Sequence, residues 1–194
     1  MPSRRRGGEL EATILEAAWA EIQENGYQRL TVEGVAARAH TGKQVLYRRW
    51  PNRVRLTIAA IRHALGPVVA EVPDTGTLRG DYLEVLRAMA RRARHYTPEL
   101  LHGLLAEMPE LGVEFFSRLP DVVAQILRNA ADRGEIPTAD LPERVATLPL
   151  NLVRYEGLRS PGAWQVLDES AADQLFAEIL DQIFLPLVTR RPDC

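Results

Sequence analysis

The sequence predicts an all-α fold of nine or ten helices. Along most of the 194 residues, apolar side chains recur at intervals of three and four, the spacing of one helix face. Residues that cap or break helices separate these segments, and we see no convincing strand. We expect two domains: residues 1–52 form a three-helix head with a helix-turn-helix (homeodomain-like), and residues 53–194 form a helical body.

The head begins with a helix over residues 9–25, which Asn25 and Gly26 end. A helix-turn-helix pattern follows over residues 30–53. Thr31 can cap its first helix, residues 40–42 form the turn, and the second helix covers residues 43–49. Asn52 can cap the next helix, which we expect to run from Arg53 to about Val69 and to end near Gly66-Pro67.

The second helix of this pattern carries side chains that suit a DNA groove. Its cations and the Arg53 side chain can contact phosphates, Gln44 can read adenine, and Arg48 can read guanine. An ordinary helical hairpin with a solvated basic face is the alternative. The candidate DNA-binding residues are Thr31, Thr41, Gly42, Lys43, Gln44, Val45, Tyr47, Arg48, Arg49 and Arg53. The basic arm Arg4–Arg6 either touches DNA as well or is a solvated tail.

Charge is divided unevenly along the chain, although the net charge is only -2. Residues 1–66 hold eleven Lys and Arg against six Asp and Glu, and the remainder holds thirteen against twenty. A basic end on an acidic body indicates binding to nucleic acid. The one cysteine, Cys194, excludes a disulfide or a cysteine zinc cluster within the chain. Because no signal sequence or apolar membrane span is present, we predict a cytoplasmic protein.

Residues 10–62 resemble the DNA-binding domain of the TetR/AcrR family of bacterial repressors. The matching residues are Ala17-Ala18, Gly26-Tyr27, Leu30-Thr31-Val32, Val35-Ala36, Ala39, Lys43, Leu46-Tyr47 and Trp50-Pro51-Asn52-Arg53. The sequence departs from the family pattern at His40, Thr41, Gly42 and Val45, which affects which bases are read. The resemblance implies a ligand-responsive repressor that binds a palindromic operator as a homodimer and is released by a small-molecule effector.

Helices of the body are predicted from their apolar stripes and proline positions. Thr77 can cap the first one. The expected ranges are 77–96, 99–107, 111–133 with a bend or break at Pro120, 142–155 with a kink at Pro149, and a last helix capped by Ser170 that ends near Val188.

Residues 133–136 and 148–155 are similar to one TetR/AcrR ligand-binding subtype, which implies an effector pocket in the body and a dimer formed by the last two helices. Plain core packing is the alternative for both sets. The pocket candidates are Met89, Tyr96, His102, Leu105, Met108, Phe115, Phe116, Leu119, Asn151 and Tyr155. The dimer candidates are Leu148, Leu152, Trp164, Leu175, Phe176, Ile179 and Ile183.

The sequence leaves two other classes of protein to consider. An enzyme is disfavoured because no catalytic motif and no nucleophile–base pair is evident among the four histidines and the terminal cysteine. A small-ligand-binding helical protein or scaffold without DNA binding is the remaining alternative. We therefore expect no catalytic residues, no metal site and no cofactor.

Overall fold

A computed structural model describes residues 7–107, 119–160 and 162–190, and these ranges contain helices and turns but no strand. The helices are α1 (Gly7–Asn25), α2 (Val32–Arg38), α3 (Lys43–Arg49), α4 (Arg53–Leu65), α5 (Leu78–Ala93), α6 (Pro98–Glu107), α7 (Leu119–Asp132), α8 (Glu143–Ala146), α9 (Leu148–Arg159), α10 (Ala163–Val166), α11 (Glu169–Glu178) and α12 (Leu185–Val188). The all-α prediction is confirmed. The described residues form two compact units: unit 1 contains residues 7–67 and 98–107, and unit 2 contains the rest.

Caps predicted from the sequence fix the first turns of α2 and α4 in unit 1. The Thr31 hydroxyl accepts a hydrogen bond from the Gly34 amide at 3.0 Å, and the Asn52 side chain accepts one from the Arg55 amide at 2.9 Å. His40, in the turn between α2 and α3, has a φ of 52°. Histidine tolerates this left-handed conformation better than most residues, so the turn forms without a glycine.

In the core of unit 1, α1 packs against α4. α2 packs on α1, and α3 packs on α2. Ile14, Ala18 and Ile61 are fully buried between the two long helices. α6 packs on the short 3₁₀ turn Tyr27–Arg29. A Cβ atom at Gly103 would lie only 2.4 Å from the Tyr27 ring, so α6 requires glycine at this point of approach.

Thr57 of α4 is fully buried, and its hydroxyl has no hydrogen-bond partner among the described residues. Because an unsatisfied buried hydroxyl costs about 1–3 kcal/mol, we expect Thr57→Val to raise the free energy of unfolding by about 1 kcal/mol in urea titrations. Thr57→Ser is the control, since it keeps the hydroxyl and loses only the methyl group. A valine variant as unstable as the serine variant would contradict this reading of the site.

In unit 2, α5 lies at the centre of the core. The Tyr82 hydroxyl donates to the Ala146 carbonyl at 2.8 Å, and the Tyr82 ring packs on Phe184 with centroids 4.6 Å apart. Burial raises the pKa of the Tyr82 phenol well above its usual range, so the hydroxyl stays a donor. Trp164 stacks on Phe176 at 6.0 Å.

An ion cluster joins the start of α5 to the end of α7, and we call it the Arg133 clamp. The Arg133 guanidinium donates to Asp81 at 3.0 Å, to Glu135 at 2.6 Å and to Asp74 at 3.1 Å. Asp81 is fully buried and also accepts hydrogen bonds from the amide and hydroxyl of Thr75. The clamp therefore joins the loop before α5 to the residues that follow α7, within unit 2.

Several predicted boundaries in unit 2 are wrong in detail. The last helical segment is capped by Asp168, whose carboxylate accepts from the Ala171 amide, so Ser170 lies in the first turn. The predicted helix 142–155 is divided into α8 and α9, because Pro149 cannot donate an amide hydrogen bond and instead occupies the first turn of α9. Pro120 likewise stands in the first turn of α7, and residues 111–118 lie outside the described residues.

Two predicted helix ends also shift. α4 ends at Leu65, where Gly66 takes a φ of 65°, so the predicted end near Gly66-Pro67 is confirmed and the outer bound at Val69 is too late. α5 ends at Ala93 instead of Tyr96.

The last helical segment changes its winding in the middle. α11 continues through a π-helical stretch, Ile179–Phe184, into α12, and the Leu185 amide bonds to the Leu180 carbonyl five residues earlier. One row of its buried residues is spaced by four, Ala172, Phe176, Leu180, Phe184 and Val188, and Ile179 is buried beside this row. On a helix with 3.6 residues per turn, residues four apart do not return to the same face, so such a row winds around the helix axis. The π turns contain more residues per turn and therefore bring the later residues of the row back toward the core. Ile183 and Leu187 consequently face outward, 44% and 50% exposed.

Candidate nucleic-acid interface

α3 presents a buried side and an exposed polar side. Leu46 is fully buried and Trp50, directly after the helix, is 8% exposed, so these two residues fasten α3 to unit 1. On the other side Lys43, Gln44 and Arg48 are exposed, and Tyr47 is 45% exposed. The polar side of α3 is therefore open to solvent, as a helix that enters a DNA groove requires.

The flanking candidates take mixed positions. Gly42 is the exposed N-cap of α3, with an extended backbone and no side-chain cap. Thr41 and Val45 are half-buried, and the Thr31 hydroxyl is occupied in capping α2. The arm Arg4–Arg6 lies outside the described residues.

The cations near α3 differ in how their charge is engaged. Lys43 lies 3.8 Å from Glu33, a loose pair in which both side chains are more than half exposed. Arg49 pairs with Glu11 of α1, and Arg53 pairs with Glu107 of α6. Within the described part of the chain, the side chains of Gln44, Tyr47 and Arg48 have no hydrogen-bond or ion-pair partner.

The Arg53 pair lies on an aromatic ring. The Arg53 guanidinium carbon is 4.9 Å from the centroid of Tyr27, a cation–π distance. Hydrogen bonding to Arg53 holds the pKa of Glu107 below its usual value, and the same bond raises the pKa of Arg53. Burial is the main cause that raises the pKa of Tyr27 to about 12. Glu107 and Arg53 therefore both stay charged at neutral pH, and the Tyr27 phenol stays neutral.

The described pocket candidates differ in burial. Met89, Tyr96 and Leu119 are buried in unit 2. His102 belongs to unit 1 and is exposed, and Tyr155 is 58% exposed. Asn151 is also exposed, where it bonds with Thr147 and Arg154. Met108, Phe115 and Phe116 lie outside the described residues, as does the side chain of Leu105.

The dimer candidates divide between core and surface. Trp164, Phe176 and Ile179 are buried within unit 2, and Leu148, Leu152 and Leu175 are half-buried. Ile183 alone among the candidates is largely exposed. The sequence-based set missed other apolar side chains that the structure exposes, namely Leu158, Val166 at 84%, and Leu187. Only the π-helical winding reveals that Leu187 points outward.

Two negative findings concern the described residues only. No group of three or more His, Cys, Asp or Glu side chains there could hold a metal ion. None of the described helices combines the length and the apolar character needed to cross a bilayer.

Comparison with known proteins places both parts of the chain in one family. Residues 14–60 match the family model described as bacterial regulatory proteins, tetR family, and residues 72–189 match the tetracyclin repressor-like C-terminal domain. The chain belongs to the TetR family. An HTH-type transcriptional regulator of Mycobacterium tuberculosis, described as uncharacterized, is similar to this TetR-family chain, with 31% identity over 164 residues that cover 82% of the chain and 85% of the relative.

Further relatives and solved structures are similar to the TetR-family chain over most of its length. The DNA-binding transcriptional repressor TetR of Mycobacteroides abscessus is 33% identical over 132 residues, 68% of this chain and 65% of that protein. The TetR family transcription regulator SCO0332 superposes with a TM-score of 0.61 at 26% identity and covers 90% of this chain and 98% of its own. BioQ, crystallised with its double-stranded DNA operator, gives a TM-score of 0.59 at 17% identity and covers 89% and 98%.

Proposed function

We propose that this TetR-family regulator is a repressor that binds a near-palindromic DNA operator as a homodimer and is released by a small-molecule effector. The DNA-binding part of this proposal depends on the exposed side of α3. There Gln44, Tyr47 and Arg48 have no hydrogen-bond or ion-pair partner among the residues that the structure describes. An engaged side chain must break its own contacts before it binds a base, whereas these three are already available.

The side chains on the exposed face of α3 contact either the bases or the phosphates of DNA in this proposal. Gln44 reads adenine through paired hydrogen bonds, and Arg48 reads guanine or contacts a phosphate. Lys43 contacts a phosphate because its pair with Glu33 is long and solvated. Tyr47 donates its hydroxyl to a phosphate. Residues 1–52 thus supply the contacts with DNA, together with Arg53 at the start of α4, which lies next to the phosphate backbone. The rest of residues 53–194 supply effector binding and dimerisation.

A dimer gives this small surface its specificity. Two copies of α3 separated by about 34–36 Å enter successive major grooves on one side of the duplex, so the operator consists of two related half-sites. The Mycobacteroides abscessus relative named as a DNA-binding transcriptional repressor and the operator-bound neighbour BioQ support this proposal. The outward apolar residues Ile183 and Leu187 support the dimer, since such residues mark interfaces when they form a patch.

Arg48 provides the direct test. Arg48→Ala should weaken binding to the DNA upstream of the protein's own gene by about 1–3 kcal/mol for each half-site and relax base preference at one position. Arg29→Ala is the matched control, because Arg29 is exposed in the same unit but lies on the 3₁₀ turn. Fluorescence anisotropy with a labelled duplex measures both variants. Equal affinities for the wild type, Arg48→Ala and Gln44→Ala would show that α3 does not read the operator.

A further inference from the structure

Arg53 lies close in sequence to α3, the proposed DNA-contacting helix. It is the first residue of α4, four residues after the end of α3, and its guanidinium is engaged by Glu107. Arg53 Nε lies 3.0 Å from both Glu107 carboxylate oxygens, and Nη2 donates to Oε1. The Nε–Nη2 edge, which binds planar anions with two hydrogen bonds, is therefore occupied by a carboxylate.

Glu107 is held in this place by the packing of α6 within unit 1. Tyr27 is 1% exposed, and its ring lies directly against Gly103, one turn before Glu107. The guanidinium of Arg53 stacks on the face of the same ring. Both partners of the ion pair nevertheless remain about one-third exposed, at 32% and 33%. A competing anion can reach Arg53 without any unfolding of the core.

We infer that Glu107 is a positioning residue that lowers the affinity for DNA. Its carboxylate occupies the edge of the Arg53 guanidinium that would otherwise bind a DNA phosphate. This inference rests on the proposed function, in which the exposed side of α3 lies on DNA and Arg53 is next to the phosphate backbone. Carboxylate and phosphate bind the same guanidinium edge in the same bidentate manner, so the two anions exclude each other there. Glu107 thereby sets how many phosphates the protein contacts.

The test is to remove the charge of Glu107 and to measure operator binding as a function of salt. Glu107→Gln should bind a duplex, selected by the wild-type chain from a random-sequence pool, about two- to fivefold more tightly, as release of a solvated ion pair allows. The slope of log K against log salt should become more negative by about 0.9 per protomer, because one more phosphate is neutralised. A merely structural role would not steepen this slope.

Two further variants isolate the effect. Glu99→Gln removes the same charge from the same helix, where Glu99 has no ion-pair partner among the described residues, and it should leave the slope unchanged. The double variant Glu107→Gln, Arg53→Ala should lose the gain in affinity. Melting temperatures of all variants verify that they are folded.

Each other outcome overturns the inference. Weaker or unchanged binding by Glu107→Gln shows that the ion pair supports the head without masking a contact. An equal gain in Glu99→Gln shows a general effect of charge. A failure of the proposed DNA contacts is separate, since it appears as wild-type binding by Arg48→Ala whatever Glu107→Gln does.

Discussion

Replacing Arg133 with methionine is expected to lower the free energy of unfolding of this protein by about 3–5 kcal/mol, the cost of leaving the buried carboxylate of Asp81 without its charged partner. Asp81 has no exposure to solvent, and its remaining partners would be the amide and hydroxyl of Thr75. Neither group carries a positive charge. Guanidinium or urea titration monitored by circular dichroism measures the loss.

A double variant separates lost charge compensation from lost packing. Asp81→Asn in the Arg133→Met background should recover part of the stability, because the buried charge is then removed as well. Arg159→Met is the matched control: its pair with Glu156 at 2.7 Å is exposed, so its loss should cost at most about 1 kcal/mol. If Arg133→Met were no more destabilising than Arg159→Met, the Arg133 clamp would not hold unit 2 together.

Ile183→Glu is expected to convert the proposed dimer into monomers and to lower operator affinity by about 10²–10⁴-fold, the range by which two linked contacts exceed one. Ile183 is 44% exposed on the outward strip of the last helical segment, next to Leu187 one turn later. A glutamate there places two like charges in an apolar contact between symmetry-related strips. Light scattering gives the mass, and anisotropy with the operator duplex gives the affinity.

Gln182→Glu controls for the added charge, since Gln182 is exposed on the same turn but carries no apolar side chain. This variant should remain dimeric. If Ile183→Glu retained the mass of the wild type, the outward strip would not be the dimer contact, while the fold of the protomer would be unaffected.

The local elements of the head were predictable because each depends on neighbouring residues. The caps formed by Thr31 and Asn52 and the bounds of α3 follow from side chains within one helical turn. The prediction of a cationic face was less complete. Arg49 and Arg53 pair with Glu11 and Glu107, which are 38 and 54 residues away in sequence, and no local pattern reveals such pairs.

In the body, local signals were present but ambiguous. Asp168 and Ser170 can both cap a helix, and the structure uses Asp168 because its carboxylate reaches the Ala171 amide. The sequence predicts that Pro149 kinks a continuous helix, whereas in the structure it lies in the first turn of a new helix that begins at Leu148. A proline fits both descriptions, and only the backbone of Thr147, with φ and ψ near −92° and 2°, decides between them.

The π-helical stretch Ile179–Phe184 affects how this chain is compared with its relatives. A relative whose last helix keeps 3.6 residues per turn throughout needs one residue fewer to reach the same orientation at α12. A correct alignment of two such proteins therefore places a one-residue gap inside this stretch. Without the gap, every residue after this stretch is shifted by one column, so that core side chains of one protein, such as Phe184, are matched with surface side chains of the other.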